Sequence, residues 1–499
     1  MKRGLVALLG PLVLTALAYV NAVGNDFAFD DEFVLVENRA VRDLSNLPEF
    51  FTDPATGSSN LQQHVFYRPL RTTVYGLVYR VFGLDPQAFH AINLLLHLSN
   101  VVLVFLVVLN LGDRVTLAAL VSAVFGVHPI MTEAVSSITG LTDVLFAFFY
   151  LLAFYLHLAR VRRGSGFLLG PAAVAVAFCL SLLSKEMAIT FPLAVLLTDV
   201  ILRRDRARPI PPLPYASYLS TLFVLAIGFL VLRTQLLATV GQNAEFPGGT
   251  LWRTMLMQGN VVLEYIRLIF LPVGQSVRHS ISIPPSYTDP GSLVSLVVLC
   301  IGIGLGVAAL RRNRNVSWGI AWFVVTLLPV MNLIPIRGAM MGERFLYVPM
   351  IGIVYALGHP LVQLVGRCSS VWRRVVTVVA SILITLLASL TVVRNRDWKN
   401  TITILESAVR VAPDSNAVRY NLVREYRRSG NTTEARRHYL DSVDNTQIHL
   451  QRFAELGDRT FEDGRLGEAR IWYRRVLALD AEHPHARERL RQIDRSLAR

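Results

Sequence analysis

Charge is scarce in this chain. Only 17% of its 499 residues are Asp, Glu, Lys or Arg, against about a quarter in soluble domains. Together with a hydrophobic content of 53% and a mean hydropathy of +0.46, this excludes an ordinary soluble globular protein. Lysine is nearly absent: Lys2, Lys185 and Lys399 are the only three among 49 basic residues. Cysteine is equally rare. Cys179, Cys300 and Cys368 lie in or beside apolar runs without metal-ligand spacing, which rules out a disulfide framework. Acids number 35, and the net charge is +14. Nucleic acid is not the implied partner, because the excess sits in short Arg clusters between apolar runs, as topology signals do.

What the chain has in abundance is long apolar runs. They fall near 5–23, 88–110, 115–135, 141–159, 167–184, 187–202, 216–237, 292–310, 317–336, 345–366 and 373–393, about eleven spans by length. The first, preceded by Lys2 and Arg3, reads as a retained anchor rather than a cleaved signal. The clusters Arg160/Arg162/Arg163, Arg203/Arg204/Arg206/Arg208, Arg311/Arg312/Arg314 and Arg367/Arg373/Arg374 then face the cytoplasm together, provided 251–271 does not cross. That stretch carries Arg253, Gln258, Asn260, Glu264 and Arg267, so it reads as amphipathic and interfacial, as does 66–82. The opposite, outer face receives the polar turns and, by parity, everything after residue 394.

From Arg394 the composition becomes soluble and helical. Leu422, Tyr426, Gly430, Ala435 and Tyr439 are matched 34 residues later by Leu456, Thr460, Gly464, Ala469 and Tyr473, a tetratricopeptide-type period. The expected domains are 1–393 in the membrane and 394–499 as about two repeats, serving either as a peptide-binding groove or as a structural cap.

Chemistry is expected where polar residues gather at outer span ends. Asp30 and Asp31 follow the first span directly; a carboxylate there suits proton abstraction from an acceptor hydroxyl, or is an ordinary capped loop. His90, Asn93 and His97 share one helix face and read as bundle hydrogen bonds rather than metal ligands. His128-Pro129 with Glu133 marks a span end, with a plain helix cap as the alternative. Lys185 beside Glu186, and Arg344 beside Glu343, place cations where a lipid-linked phosphate would lie; the alternative is two structural ion pairs. Asn332, Pro335 and Arg337 lie in the same outer loop as Arg344.

Taken in order, the residues Phe29-Asp30-Asp31, Asn38, Tyr67-Arg68-Pro69-Leu70, Phe89-His90-x-x-Asn93-x-x-x-His97, His128-Pro129-x-x-Thr132-Glu133-Ala134-Val135, Ser184-Lys185-Glu186 and Glu343-Arg344-Phe345-Leu346-Tyr347 resemble the transmembrane and tetratricopeptide-repeat protein O-mannosyltransferases and their bacterial relatives. The resemblance covers essentially the whole chain and rests on the ordered set. It implies an all-α, polytopic membrane glycosyltransferase fold of the GT-C class followed by a short tetratricopeptide α-solenoid. It also implies a polyprenyl-phosphate-linked sugar donor and a general base in the first outer loop, carried over to Asp30 or Asp31, with Asp30 favoured. Two departures stand out. The family often has many more repeats, and its relatives often have Arg before the Asp where this chain has Thr142-Asp143.

The resulting expectation is inverting transfer of a hexose, mannose, from a polyprenyl phosphate to a hydroxyl on protein Ser or Thr. Asp30 or Asp31 is the base. Lys185, Arg344, His90 and His128 hold the phosphate, with Glu133, Glu186, Glu343, Asn93 and Arg68 in support. No cofactor is required, although a divalent metal is compatible with the chemistry. The Arg-rich composition and short loops point to a bacterial inner membrane, with the site and the repeats extracytoplasmic. The rival class is a transporter or an envelope scaffold with a repeat arm. A transporter would carry polar residues at mid-span, and a scaffold would not need Asp30 and Asp31.

Overall fold

The computed structural model describes residues 2–60, 66–163, 170–202, 212–238, 246–279, 281, 284, 288–333 and 340–497. Pro335, Arg337 and the cluster from Arg203 to Arg208 lie outside them. The described elements are helical, and seven of the helices, Pro69–Phe82, Pro86–Asn110, Pro171–Ser184, Pro212–Ala238, Pro290–Ala309, Pro349–Arg367 and Pro484–Leu497, open on proline. Proline is suited to that position, where its fixed φ fits a helix and its missing N–H has no intrahelical partner to lose.

Each of the eleven apolar segments contains a helix among the described residues, but not all are full-length rods. Seven helices are long and apolar enough to span a bilayer among the described residues. An eighth candidate is the bent pair Val115–Val127 and Pro129–Val135, which turns by 55° because Pro129 cannot continue the ladder. The remaining three are shorter, Pro171–Ser184, Phe191–Leu202 and Arg314–Leu327, and each gives way to a tight 3-10 turn or polar break on the site side. The chain is an all-α polytopic membrane protein. As expected, Leu251–Phe270 and Pro69–Phe82 are amphipathic helices outside the set of spans.

The centre and the rim of the bundle differ in burial. Of the best spanning window, 61% is buried in Ile138–Val161 and 50% in Pro86–Asn110, but only 6% in Ser370–Asp397 and 17% in Pro290–Ala309. The first two therefore form the core and the last two present their sides to lipid. Where Arg314–Leu327 crosses Pro349–Arg367, Gly319 and Gly352 meet backbone to backbone, and a Cβ on either would collide with the other's carbonyl oxygen. Small residues of this kind let membrane helices approach closely.

The Asn93–His97–Asn100 face is a buried bracing network. His97 Nδ1 lies 2.6 Å from the Tyr347 hydroxyl and its Nε2 lies 3.0 Å from the Gly126 carbonyl oxygen; the Asn100 amide donates to Tyr347 and to the Val144 carbonyl. Hydrogen bonding within the bundle is thus the role His97 takes, with Asn100 beside it; His90, expected on the same face, takes no part in this network.

After Ser370–Asp397 come Thr401–Val411, Asn416–Arg428, Thr432–Glu462, Leu466–Leu479 and Pro484–Leu497. Gly430 and Gly464 take φ of 78° and 74° at the two sharp turns, the left-handed conformation that glycine adopts most cheaply after a helix. The difference from two separate helix pairs is Thr432–Glu462. It runs for 31 residues as a single helix, because 432–456 contains neither Gly nor Pro to end it. This region packs two small cores of its own, one around Leu405, Leu422 and Ala435 and one around Ala469, Tyr473 and Ile493.

Candidate functional site

The segment from His128 to Asp143 organises one end of the bundle. Its own shape comes from Pro129, which bends the chain, and from the His128 ring. Nδ1 of His128 accepts from the Ile130 N–H at 3.2 Å and Nε2 lies 3.0 Å from the Ile269 carbonyl oxygen. Both ring nitrogens are thereby committed, so the expected phosphate contact from His128 has no free donor. The next turn is held from three sides. Asn93 donates to the Ser137 carbonyl at 2.7 Å, Tyr75 to the Ile138 carbonyl at 3.0 Å, and Ser136 to the Asn395 side chain at 2.7 Å.

Three candidate groups dock on this segment. The Asp31 carboxylate accepts the Thr139 N–H at 2.8 Å and the Ala28 N–H at 2.9 Å. Glu133 takes Arg344 through its guanidinium and its backbone N–H. Asp143 takes the Lys185 ammonium. Lys185 is therefore neutralised by Asp143 and not by its neighbour Glu186, and Arg344 by Glu133 and not by its neighbour Glu343. Neighbours along a tight turn point in different directions. Glu186 instead forms a two-pronged pair with Arg68, at 2.8 and 3.2 Å. Glu343 turns inward to accept from Ser276 and Gln275, with His279 2.9 Å away.

The two expected phosphate-binding cations do converge. Lys185 Nζ lies 5.1 Å and Arg344 Cζ 5.4 Å from the centre of the Phe345 ring. They differ in access: the Lys185 side chain is 2% exposed and that of Arg344 is 34% exposed. The charge of Asp30 acts on both Arg344 and Arg71, and those of Arg68 and Arg344 on Lys185. Asp30, Arg68, Arg71, Lys185 and Arg344 thus share one electrostatic neighbourhood. His90 is buried beside Asp26 in the first loop.

Asp30 and Asp31 differ sharply. Asp31 is fully buried, and desolvation pushes its carboxyl up to about 7 against the pull of the two N–H donors. Asp30 is half-buried and its side chain accepts no hydrogen bond among the described residues. The pair follows Phe29, which holds a φ of 57°, strained for a bulky residue. The strain is fixed by the C-terminal region: Phe29 donates to the Thr401 hydroxyl at 3.0 Å, Asp26 to the Lys399 carbonyl at 2.9 Å, and Glu32 pairs with Arg428 at 2.9 Å.

Asp143 and Thr139 were not among the expected site residues. The signal available for Asp143 was a solitary acid at the start of a long apolar run, with one buried lysine elsewhere in need of a partner. Thr139 contributes a backbone N–H, which no side-chain pattern reveals.

No family model matches the chain. It is 25% identical to a Caenorhabditis elegans protein O-mannosyl-transferase over 89% of its own length and 63% of that protein's. With the Mus musculus protein O-mannosyl-transferase TMTC3 it shares 24% identity over 86% of its length and 50% of the mouse protein's. With the Mus musculus protein O-mannosyl-transferase TMTC4 the values are 26%, 85% and 64%. The chain spans half to two thirds of the length of these relatives. Across most of its own length, the chain is similar to the TMTC protein O-mannosyl-transferases.

Proposed function

We propose that this protein is a GT-C membrane mannosyltransferase that moves mannose from a polyprenyl phosphate to a Ser or Thr hydroxyl of a protein at the outer face of the membrane, here a bacterial inner membrane. The observation that carries the reading is the convergence at one end of the bundle of a half-buried carboxylate, Asp30, with Arg344, whose guanidinium is part-exposed. Asp30 takes the acceptor proton as the hydroxyl attacks the anomeric carbon from the face opposite the phosphate, inverting its configuration. The bond to phosphate oxygen breaks, and the departing anion meets Arg344, with Arg68 and Lys185 behind it. A phosphate needs no proton to leave when cations stabilise it. The donor carries the sugar already activated, so the proposal invokes no resident cofactor.

Asp31 positions Asp30 by tying the loop to Thr139 and Ala28. The region 394–499 acts as a repeat arm of tetratricopeptide type that presents the acceptor polypeptide. The charged groups of the candidate site gather at span ends on one side, which weighs against a transporter. The test is direct: purified full chain in lipid, polyprenyl-phosphate [³H]mannose and a Ser/Thr peptide. Label in the peptide, with inverted anomeric configuration, supports the reading. Donor that remains intact with every hydroxyl acceptor overturns it.

A further inference from the structure

The Asn416–Arg428 helix carries a feature that transfer chemistry does not use. Tyr420, Val423, Arg424, Arg427 and Arg428 recur at helical spacing on one face and line an open concavity of about 360 Å³. Tyr420 is 71% exposed although it is a large aromatic residue. The three arginines are differently occupied. Arg428 reaches Glu32 at 2.9 Å, and Arg424 pairs with Glu425 at 3.0 Å while lying 5.6 Å from the Phe33 ring. Arg427 is exposed and has no ion-pair partner among the described residues. The concavity therefore has a free guanidinium, a second one half-covered, and a flat ring beside them.

Its position is as telling as its composition. Glu32 and Phe33, which touch Arg428 and Arg424, follow directly on Asp30 and Asp31. An extended polypeptide advances about 3.4 Å per residue, so a segment seated on this face would bring a hydroxyl a few residues away up to Asp30.

We infer that this face is an acceptor subsite that selects polypeptide segments carrying Asp or Glu close to the Ser or Thr to be modified. The inference rests on the mannosyltransferase reading above and adds to it the charge class of the acceptor. Carboxylates match the planar donor fork of arginine in two-pronged hydrogen bonds, and the Tyr420 ring offers stacking area to the peptide between them. An anionic headgroup would also be drawn to arginines. A peptide is favoured because the arginines line a concavity joined to the loop of the candidate base, with Tyr420 and Val423 as its apolar floor.

The experiment uses the full chain in nanodiscs of zwitterionic lipid and fluorescent peptides containing one Thr, flanked by Glu, by Gln or by Lys. Binding is read by anisotropy and transfer by mannose incorporation, with wild type compared to R424Q/R427Q and R424E/R427E. The Glu peptide is expected to bind about tenfold more tightly than the Gln peptide, with a preference that fades as salt rises. R424Q/R427Q abolishes the preference by raising KM while kcat on the Gln peptide is unchanged, and R424E/R427E shifts the preference to the Lys peptide. The swap to Lys cannot come from a fold defect. Equal affinity of wild type for all three peptides overturns the inference. So does an arginine effect seen only as altered binding to nanodiscs containing phosphatidylglycerol, which would make the face a lipid contact. Because binding is read separately from transfer, charge-selective binding without transfer would sink the mannosyltransferase reading and leave the subsite standing.

Discussion

Asp30 and Asp31 are adjacent in sequence and opposite in circumstance. Asp31 is enclosed and bonded to two N–H groups, whereas Asp30 is half-buried. Asp30→Asn is expected to lower transfer by about 10²–10⁴ with unchanged thermal stability; near-normal turnover would remove Asp30 from the mechanism. Asp31 is expected to show itself in stability. Its folded value of about 7 lies above the 3.8 of a free side chain, so the folded protein holds this proton longer than the unfolded chain. The stabilisation is complete below about pH 4 and is lost as pH rises through about 7. Asp31→Asn cannot titrate, so the gap in melting temperature between wild type and variant should narrow between about pH 4.5 and about pH 8. A gap that widens with pH would contradict this environment.

The two cations separate in the same way. Lys185 is sealed against Asp143, and removing one partner of a buried pair costs about 3–5 kcal/mol because the other is left charged. Lys185→Met/Asp143→Leu should therefore melt higher than either single variant, which a thermal scan of the three proteins checks. Arg344 is part-exposed. Arg344→Lys retains a charge for Glu133 but loses the planar fork, and is expected to raise the KM for donor about tenfold, a loss of about 1.4 kcal/mol, with the KM for acceptor unchanged.

At the scale of elements, the turns matter more than the spans. The bend at Pro129, the contact of Gly319 with Gly352 and the glycine turns at 430 and 464 decide where helices stop and how near they come. Gly352→Leu has no room against the Arg314–Leu327 helix and is expected to prevent accumulation of folded protein, while Gly302→Leu, which meets open space on a lipid-facing helix, is expected to be tolerated. Comparing detergent-extracted monodisperse yield of the two variants checks this. Thr432–Glu462 carries the converse lesson: without a breaker, the helix continues through the expected boundary between repeats.

For the whole molecule, the contacts of Asp26, Phe29 and Glu32 with residues 399–428 require the first loop and the C-terminal region to lie at the same end of the bundle. Cysteines placed at Glu49 and Ala417, both exposed, should react together with an impermeant maleimide in intact membranes, and one at Arg312 should react only after permeabilisation. Labelling of Glu49 and Ala417 from different sides would contradict the fold.

The sequence by itself determined the apolar segments, the amphipathic character of 251–270 and 69–82, the common end for the polar turns and the glycine turns of the C-terminal region, because periodicity and breakers are local properties of a chain. It also pointed to Asp30, Lys185 and Arg344, as charges that an apolar chain carries only where something repays them. Which acid neutralises which cation was not local. Adjacent residues suggested Lys185 with Glu186 and Arg344 with Glu343, but only tertiary structure could bring Asp143 and Glu133 to those cations and leave Glu186 to Arg68 and Glu343 to His279. The division between Asp30 and Asp31 belongs to the same class, since it depends on a backbone N–H from Thr139, more than a hundred residues away. Burial and partner choice are long-range quantities, and they decide which of two like groups is braced and which stays part-exposed.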